Sequence, residues 1–175
     1  MLLAYMDIEQ FTLEVKAVEW DRYIGPLYYN PDDVSISLIS LALADQESKE
    51  RIIQIEGIEA DLLLNAKITS DVMFAIGNDH SGTYYPAVRA ALPFIIQVAL
   101  YGNHVVARNC AINILIDLYA FTPDDGSNEL LKFVQATIEK VIIENRESFT
   151  KFADDDKRNQ SYSKEGQESC RLWKD

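Results

Sequence analysis

The amino-acid sequence predicts an all-α fold in which antiparallel helix pairs stack into a short solenoid of about six helices. Apolar residues recur at helical spacing along most of the chain, and no convincing strand alternation follows residue 20. The segments between the predicted helices are short, which favours antiparallel neighbours. A row of such pairs forms a curved array whose surfaces are suited to binding other molecules.

The first predicted elements are two helices separated by a loop. Residues 8–20 alternate like a strand, but their Leu, Glu, Lys and Ala content favours a helix, and nothing else in the chain offers a strand partner. Glycine and proline predict a loop over 23–31. Asn30 is then the expected N-cap of a helix over 31–44, with Pro31 at the first helical position.

The helix over 31–44 is apolar around a broad arc. One side of it carries Val34, Leu38 and Leu41, and another carries Ile36, Ile39 and Leu43. Such a pattern predicts a helix that lies between neighbours, with both sides covered.

Two further helices lead to a polar loop. The first is expected over 47–66. A short helix then begins at a Thr69 or Ser70 cap and is closed by Gly77. The polar loop follows over 78–83.

The second half of the chain carries the strongest helical pattern. Pro86 is expected to open a helix that contains Pro93 and bends there, because a proline inside a helix removes one backbone hydrogen bond. The helix over 104–121 is apolar nearly all round and is therefore expected to be central, and a last long helix is expected over 127–148. Residues 1–152 are read as a single domain.

The C-terminal tail over 153–175 is polar, and we assign it no structure.

Composition excludes several classes of function. The net charge of −12 repels phosphate backbones, and the basic residues are scattered, so nucleic acid is not an expected partner. No apolar run approaches the roughly 20 residues that cross a bilayer, and the N-terminus has no basic stretch before its apolar patch. Two cysteines do not make a disulfide framework, and Cys110 lies in an apolar segment as a buried small hydrophobe would. We therefore expect a cytoplasmic protein that does not act on membranes.

The acidic residues are unevenly distributed along the chain. Residues 1–61 hold thirteen acids against four bases, a balance of −9, whereas 62–122 balance at zero and 123–175 at −3. One interpretation is that this charge only keeps the protein soluble. The other is that the N-terminal third forms a negative surface that steers a basic protein partner.

Two segments carry a resemblance to a known family. The loop from Asn78 to Ala87 contains His-Ser-Gly-Thr-Tyr-Tyr, and the next helix contains Ala-Leu-Pro-Phe-Ile. Together with Trp20, Tyr23 and Asp33-Val34 upstream, these segments resemble a bacterial family of HEAT-repeat proteins with a His-x-Gly-Thr-x-Tyr loop and an Ala-x-Pro-Phe-Leu helix. The resemblance covers about residues 20–120, and the chain departs from it with Ser81 where glutamine is usual.

The resemblance implies a HEAT-like binding module rather than an enzyme. Some small acidic proteins of this group look like immunity proteins, which neutralise toxins of contact-dependent growth inhibition systems. Toxin domains of that kind are frequently basic nucleases, and the −9 balance of the N-terminal third would suit such a partner.

His80 beside Asp79 is the pair that most resembles a catalytic base with its orienting carboxylate. No nucleophile accompanies it, so we expect no catalytic residue. A structural role explains the loop better: His80 and Thr83 satisfy backbone groups at helix ends, and Gly82 supplies an unusual backbone angle. Contact with a partner stays open as an alternative. The expected structural motif comprises Asp79, His80, Gly82, Thr83, Pro86 and Pro93.

Metal and cofactor sites are not expected. His80 and His104 are far apart in sequence, and neither has a histidine or cysteine at ligand spacing. The chain also lacks a phosphate-binding glycine motif and a nucleophile elbow.

The sequence thus predicts an immunity protein that binds a basic toxin domain, with a nuclease as the expected class, as a monomer in a 1:1 complex. The mechanism would be occlusion of the toxin's active site by carboxylates, with tyrosines as aromatic anchors. The expected contacts are Asp45, Glu47, Glu50, Glu56, Glu59, Asp61, Tyr84 and Tyr85. The leading alternative is a HEAT-like scaffold or adaptor without a toxin partner. A base-excising enzyme on nucleic acid is a third class, which would need a basic cleft.

Overall fold

The protein is helical in the part of the chain that the structure describes. This computed structural model describes residues 5–23, 25, 29–45 and 60–159, without side chains for 60–65 and 153–159. Its α-helices are α1 (Ile8–Ala17), α2 (Pro31–Leu43), α3 (Ala60–Ile76), α4 (Val88–Tyr101), α5 (Val105–Ala120), α6 (Asn128–Glu144) and α7 (Arg146–Asn159). The predicted all-α class is confirmed. The predicted helix over 47–66 lies mostly outside the described residues.

The first helices begin where local sequence signals predict. The side chain of Asn30 accepts a hydrogen bond from the Asp32 amide at 3.3 Å, and Pro31 is the first residue of α2. Asp7 caps α1 in the same way, because its Oδ1 accepts from the Gln10 amide at 3.1 Å. The helical interpretation of residues 8–20 is confirmed for 8–17, and the helix ends there, with Val18 in extended conformation.

The predicted break before a short third helix is wrong. Thr69 and Ser70 lie inside α3, which continues without interruption to Ile76. The segment contains no glycine or proline that would end a helix, and Ser70 Oγ donates to Asp79 Oδ2 at 3.2 Å instead of capping a helix end. A residue type that is common at helix caps was mistaken for a helix start.

A small sheet that the sequence analysis missed joins two loops. Its strands are β1 (Gly77–Asn78), β2 (Thr83–Tyr84) and β3 (Thr122–Pro123), with β2 antiparallel to β1 and parallel to β3. Strands of two residues are too short to show an alternating pattern. The sheet holds the loop after α3 against the end of α5.

The predicted helix over 127–148 is divided at Asn145. The side-chain nitrogen of this residue donates to the Val141 carbonyl at 2.9 Å and so completes the end of α6. The chain continues helically as α7 to Asn159, although the sequence analysis assigned no structure from residue 153. Two aromatic side chains anchor α7, Phe149 and the buried Phe152. Two apolar residues in a polar segment do not make a helical pattern.

The core is centred on α2 and α5. α5 packs against α2, α3, α4 and α6, which confirms its predicted central position. Cys110 on α5 is buried, as expected. Pro93 lies inside α4 on its exposed side, where water can satisfy the backbone carbonyl that the proline leaves without a donor.

Candidate functional site

The loop between α3 and α4 is a compact structural turn. Gly82 has φ of +65°, the left-handed conformation that the sequence analysis expected of it. The side chain of Asn78 accepts a hydrogen bond from the Ser81 amide at 3.3 Å, and the Thr122 amide donates to the Gly82 carbonyl at 3.1 Å. The loop is thereby fixed at both sides.

The expected roles of His80, Thr83 and Pro86 need correction. The amide of Tyr85 donates to the Ile76 carbonyl at 2.8 Å, so a backbone group completes the end of α3, where His80 and Thr83 were expected to act. The His80 ring contacts Phe74 edge to face, with ring centroids 5.0 Å apart. The Thr83 hydroxyl is 2.9 Å from that of Ser81.

Pro86 does not open α4. It lies in a turn before the helix, and its carbonyl accepts from the Arg89 amide at 3.1 Å. The first residue of α4 is Val88, with Ala87 as its N-cap.

The Asp79 carboxylate is hydrogen-bonded to α3 and not to the imidazole of His80. Its Oδ2 accepts the hydrogen bond from Ser70 Oγ. Burial, and secondarily the charge of Asp79, raises the pKa of Asp117 from 3.8 to about 6. The hydrogen bond from Ser70 supports a structural role for Asp79.

Tyr84 and Tyr85, expected as aromatic anchors for a partner, belong to the core. The exposed fraction of Tyr84 is 0 % and that of Tyr85 is 6 %. Burial raises the pKa of Tyr84 to about 12, and the Tyr85 ring contacts Tyr29 edge to face at 6.0 Å. A buried ring offers no surface to a partner, so we withdraw both residues from the binding surface. Their loop position in the sequence gave no sign of this burial.

The segments that carry the family resemblance pack against each other. Trp20 lies 6.4 Å from Phe94 and 6.1 Å from Tyr23 between ring centroids, and its Nε1 donates to the Val15 carbonyl at 3.0 Å. Phe94 also meets Phe11 edge to face at 5.6 Å. The quoted aromatic residues thus join the opening segment to α4.

Most of the expected acidic contacts fall outside the described side chains. Asp45, two residues after the end of α2, is partly buried. Asp61 lies in α3, where its side chain is not described. Glu47, Glu50, Glu56 and Glu59 lie outside the described residues. Their role remains a prediction.

The described part of the N-terminal third nevertheless presents many carboxylates. Residues 5–23 and 29–45 hold eight acidic and two basic side chains. Arg22, one of the two bases, pairs with Glu19. The exposed acids are Asp7, Glu9, Glu14, Glu19, Asp21, Asp32 and Asp33. This region therefore carries a strongly negative surface.

Two large apolar side chains of α2 are exposed within this negative region. The exposed fraction of Ile36 is 61 % and that of Leu43 is 51 %, whereas Val34, Leu38 and Leu41 are fully buried. The expectation that both sides of α2 are covered is wrong for Ile36 and Leu43. The second apolar side of this helix, visible in the sequence, was the signal of an exposed apolar surface that the sequence analysis read as core.

Within the described ranges, no group of three or more His, Cys, Asp or Glu side chains is placed to hold a metal ion. None of the helices in those ranges has the length and apolar character to cross a bilayer. No protein-family model matches the chain, and comparison with curated proteins and with solved structures also gave no match.

Proposed function

We propose that the chain binds a basic protein through its N-terminal third, and that this partner is a toxin domain which the chain neutralises as an immunity protein. The observation that carries the proposal is the excess of eight acidic over two basic side chains in 5–23 and 29–45, seven of the acids being exposed. A surface of this charge attracts cationic proteins and repels nucleic acids.

The arrangement of helices supports a HEAT-like solenoid as the scaffold. α2 packs against α3 and α4, α3 packs against α5, and α4 packs against α5 and α6. Packing of a helix against the next helix but one, as in α2 with α4, α3 with α5 and α4 with α6, is the adjacency expected of stacked helix pairs. Solenoids of this kind use extended outer surfaces for binding, which suits a protein inhibitor.

Inhibition would proceed by occlusion. Carboxylates of the immunity protein take the positions of substrate phosphates against the cationic residues of a nuclease, and the bulk of the solenoid closes the cleft. Long-range attraction accelerates the encounter, so the association rate falls as added salt screens the charges. An association rate that does not change with salt would contradict the electrostatic part of the mechanism.

The test is affinity capture of the tagged chain from lysate of its native cells, at low and moderate salt, with mass spectrometry of the bound proteins. The proposal predicts one stoichiometric basic protein, lost in the triple variant Glu56→Lys, Glu59→Lys and Asp61→Lys. A matched triple variant on α6 and α7, Glu139→Lys, Glu144→Lys and Glu147→Lys, makes the same change in net charge and should retain the partner.

The alternative outcomes have different meanings. Many substoichiometric partners would favour a scaffold or adaptor. Absence of any basic partner would refute the proposed function. Equal loss in both triple variants would mean that net charge, and not the N-terminal third, governs binding.

A further inference from the structure

The outer line of α2 combines acidic and apolar side chains without basic ones. We name it the α2 stripe, and it consists of Asp32, Asp33, Ile36, Ser40 and Leu43, all of which are exposed. The helix contains no lysine, arginine or histidine. Successive members lie three or four residues apart from Asp33 onward, so they form one line on the helix surface.

The α2 stripe faces away from the protein core. Each residue of a helix is rotated by about 100° from the one before, so Ile36 lies about 200° from both Val34 and Leu38. Those two residues are fully buried, and Ile36 therefore lies on the opposite side of the helix. At a rise of about 1.5 Å per residue, the stripe extends over about 16 Å.

The apolar members of the stripe differ from three exposed aromatic residues of the described chain, each of which has a partner. Phe74 contacts His80, Tyr119 donates to Glu139, and Phe133 lies under the Arg89 guanidinium. Ile36 and Leu43 are aliphatic and can make no such polar contact. Exposed aliphatic side chains set in a line on a central helix are typical of a surface that another molecule covers.

The neighbouring helix α1 also has an exposed side with apolar and acidic residues. α1 packs against α2 and exposes Leu13, with an exposed fraction of 65 %, on the side opposite its buried residues Phe11 and Val15. Glu9 and Glu14 are exposed on the same helix. The composition of the stripe is thus repeated on a helix that packs against α2.

The acidic residues of the α2 stripe indicate that its binding partner is basic. Apolar residues at positions i and i+7 of a helix are the spacing at which helices dock with partner grooves or helices. We propose that the α2 stripe, flanked by α1, is a docking surface for a protein segment whose lysine or arginine residues surround an aliphatic centre. The inference rests on the proposed function, since it assigns the surface that the basic partner contacts.

The experiment uses the full chain labelled with ¹⁵N and a designed probe, an amphipathic helical peptide made of leucine and lysine. Titration should shift the amide resonances of Leu13, Ile36, Ser40 and Leu43. A peptide with serine in place of leucine keeps the charge and should bind about tenfold more weakly, because it lacks the apolar contact.

Two variants separate the apolar and the acidic contributions. Ile36→Ser with Leu43→Ser should weaken the leucine–lysine peptide about tenfold, and Asp32→Asn with Asp33→Asn should weaken it and reduce its salt dependence. Val105→Ser with Ile143→Ser changes exposed aliphatic residues on other helices and should leave binding within about twofold. Circular dichroism verifies that each variant is folded.

Three results on the purified chain would overturn the inference. The first is resonance shifts that lie elsewhere on the chain, and the second is equal weakening of peptide binding by both aliphatic variants. The third is a monomer–dimer equilibrium in sedimentation that the Ile36→Ser and Leu43→Ser variant abolishes. That third result would make the stripe a contact between copies of the chain. Capture of a basic protein from lysate by this variant at the wild-type level would refute the stripe but leave the proposed function standing. Absence of any basic partner would refute the proposed function instead.

Discussion

Met6 and Asn103 exchange two hydrogen bonds across a separation of 97 residues in sequence. The Met6 amide donates to Asn103 Oδ1 at 3.0 Å, and Asn103 Nδ2 donates to the Met6 carbonyl at 3.0 Å. The amide of Met6 also lies 3.2 Å from the Tyr101 carbonyl. The start of α1 is thereby fixed to the end of α4.

Replacing Asn103 with alanine should weaken the attachment of this end of α1. Both hydrogen bonds are partly buried, and their loss should lower the free energy of unfolding by about 1 to 3 kcal/mol. Urea denaturation followed by circular dichroism measures the change. Asn128→Ala at an exposed position serves as the control, and an equal effect of both variants would contradict the assigned role of Asn103.

The raised pKa of Asp117 predicts a pH dependence of stability. The native state binds this proton more tightly than the unfolded chain, because the pKa rises from 3.8 to about 6 on folding. The resulting stabilisation is fully present below about pH 4 and is lost as the pH rises through about 6. Asp117→Asn should therefore be more stable than the wild type at pH 7, with a difference that shrinks towards pH 4. Urea denaturation across this range checks it, and a stability difference that does not change with pH would contradict the role assigned to Asp117.

Gly77 is required by the close approach of two strands. A Cβ atom at this position would lie 2.4 Å from the Thr83 carbonyl oxygen. Gly77→Ala must push β1 away from β2 and should destabilise the fold by about 3 kcal/mol. Gly126→Ala is the matched control, because Gly126 has φ of +69° but nothing within 4 Å of the added atom, so only about 1 kcal/mol of backbone strain is expected there. Thermal unfolding of the two variants should differ accordingly, and similar midpoints would be evidence against the steric explanation.

Phe152 should control whether α7 stays docked. Its ring lies under the Arg108 guanidinium, with the guanidinium carbon 3.9 Å from the ring centroid. Phe152→Ala removes this contact and the buried ring, so the amides of residues 146–159 should lose hydrogen-exchange protection while those of α5 keep theirs. Ser148→Ala, at an exposed position of the same helix, should change neither. Loss of protection throughout the chain would mean that α7 is not a separate unit of stability.

Local sequence signals predicted where most helices lie, but they did not predict which side chains pack together in the folded protein. Asn30 and Pro31 mark the start of α2 because a cap and a first-turn proline act over a few residues. Thr69 carries the same kind of signal and misleads, since a hydroxyl can equally lie inside a helix. Pattern alone does not tell which of two apolar sides faces the core.

The exposed Ile36 and the buried Tyr84 show the same limit in opposite directions. Ile36 belongs to an apolar side of α2 that neighbouring helices leave open. Tyr84 belongs to a polar loop, but it lies in the two-residue strand β2, and its side chain is buried there. Neither outcome depends on residues nearby in the sequence.

The contact between Trp20 and Phe94 has a consequence for protein synthesis. A chain grows from its N-terminus, so the opening segment with its carboxylates leaves the ribosome long before its aromatic partner on α4 does. Until residue 94 emerges, Trp20 cannot bury its indole against that ring, and the amide of Met6 cannot reach Asn103. The contacts that fix the opening segment to α4 therefore form only after residues 94 and 103 have emerged from the ribosome.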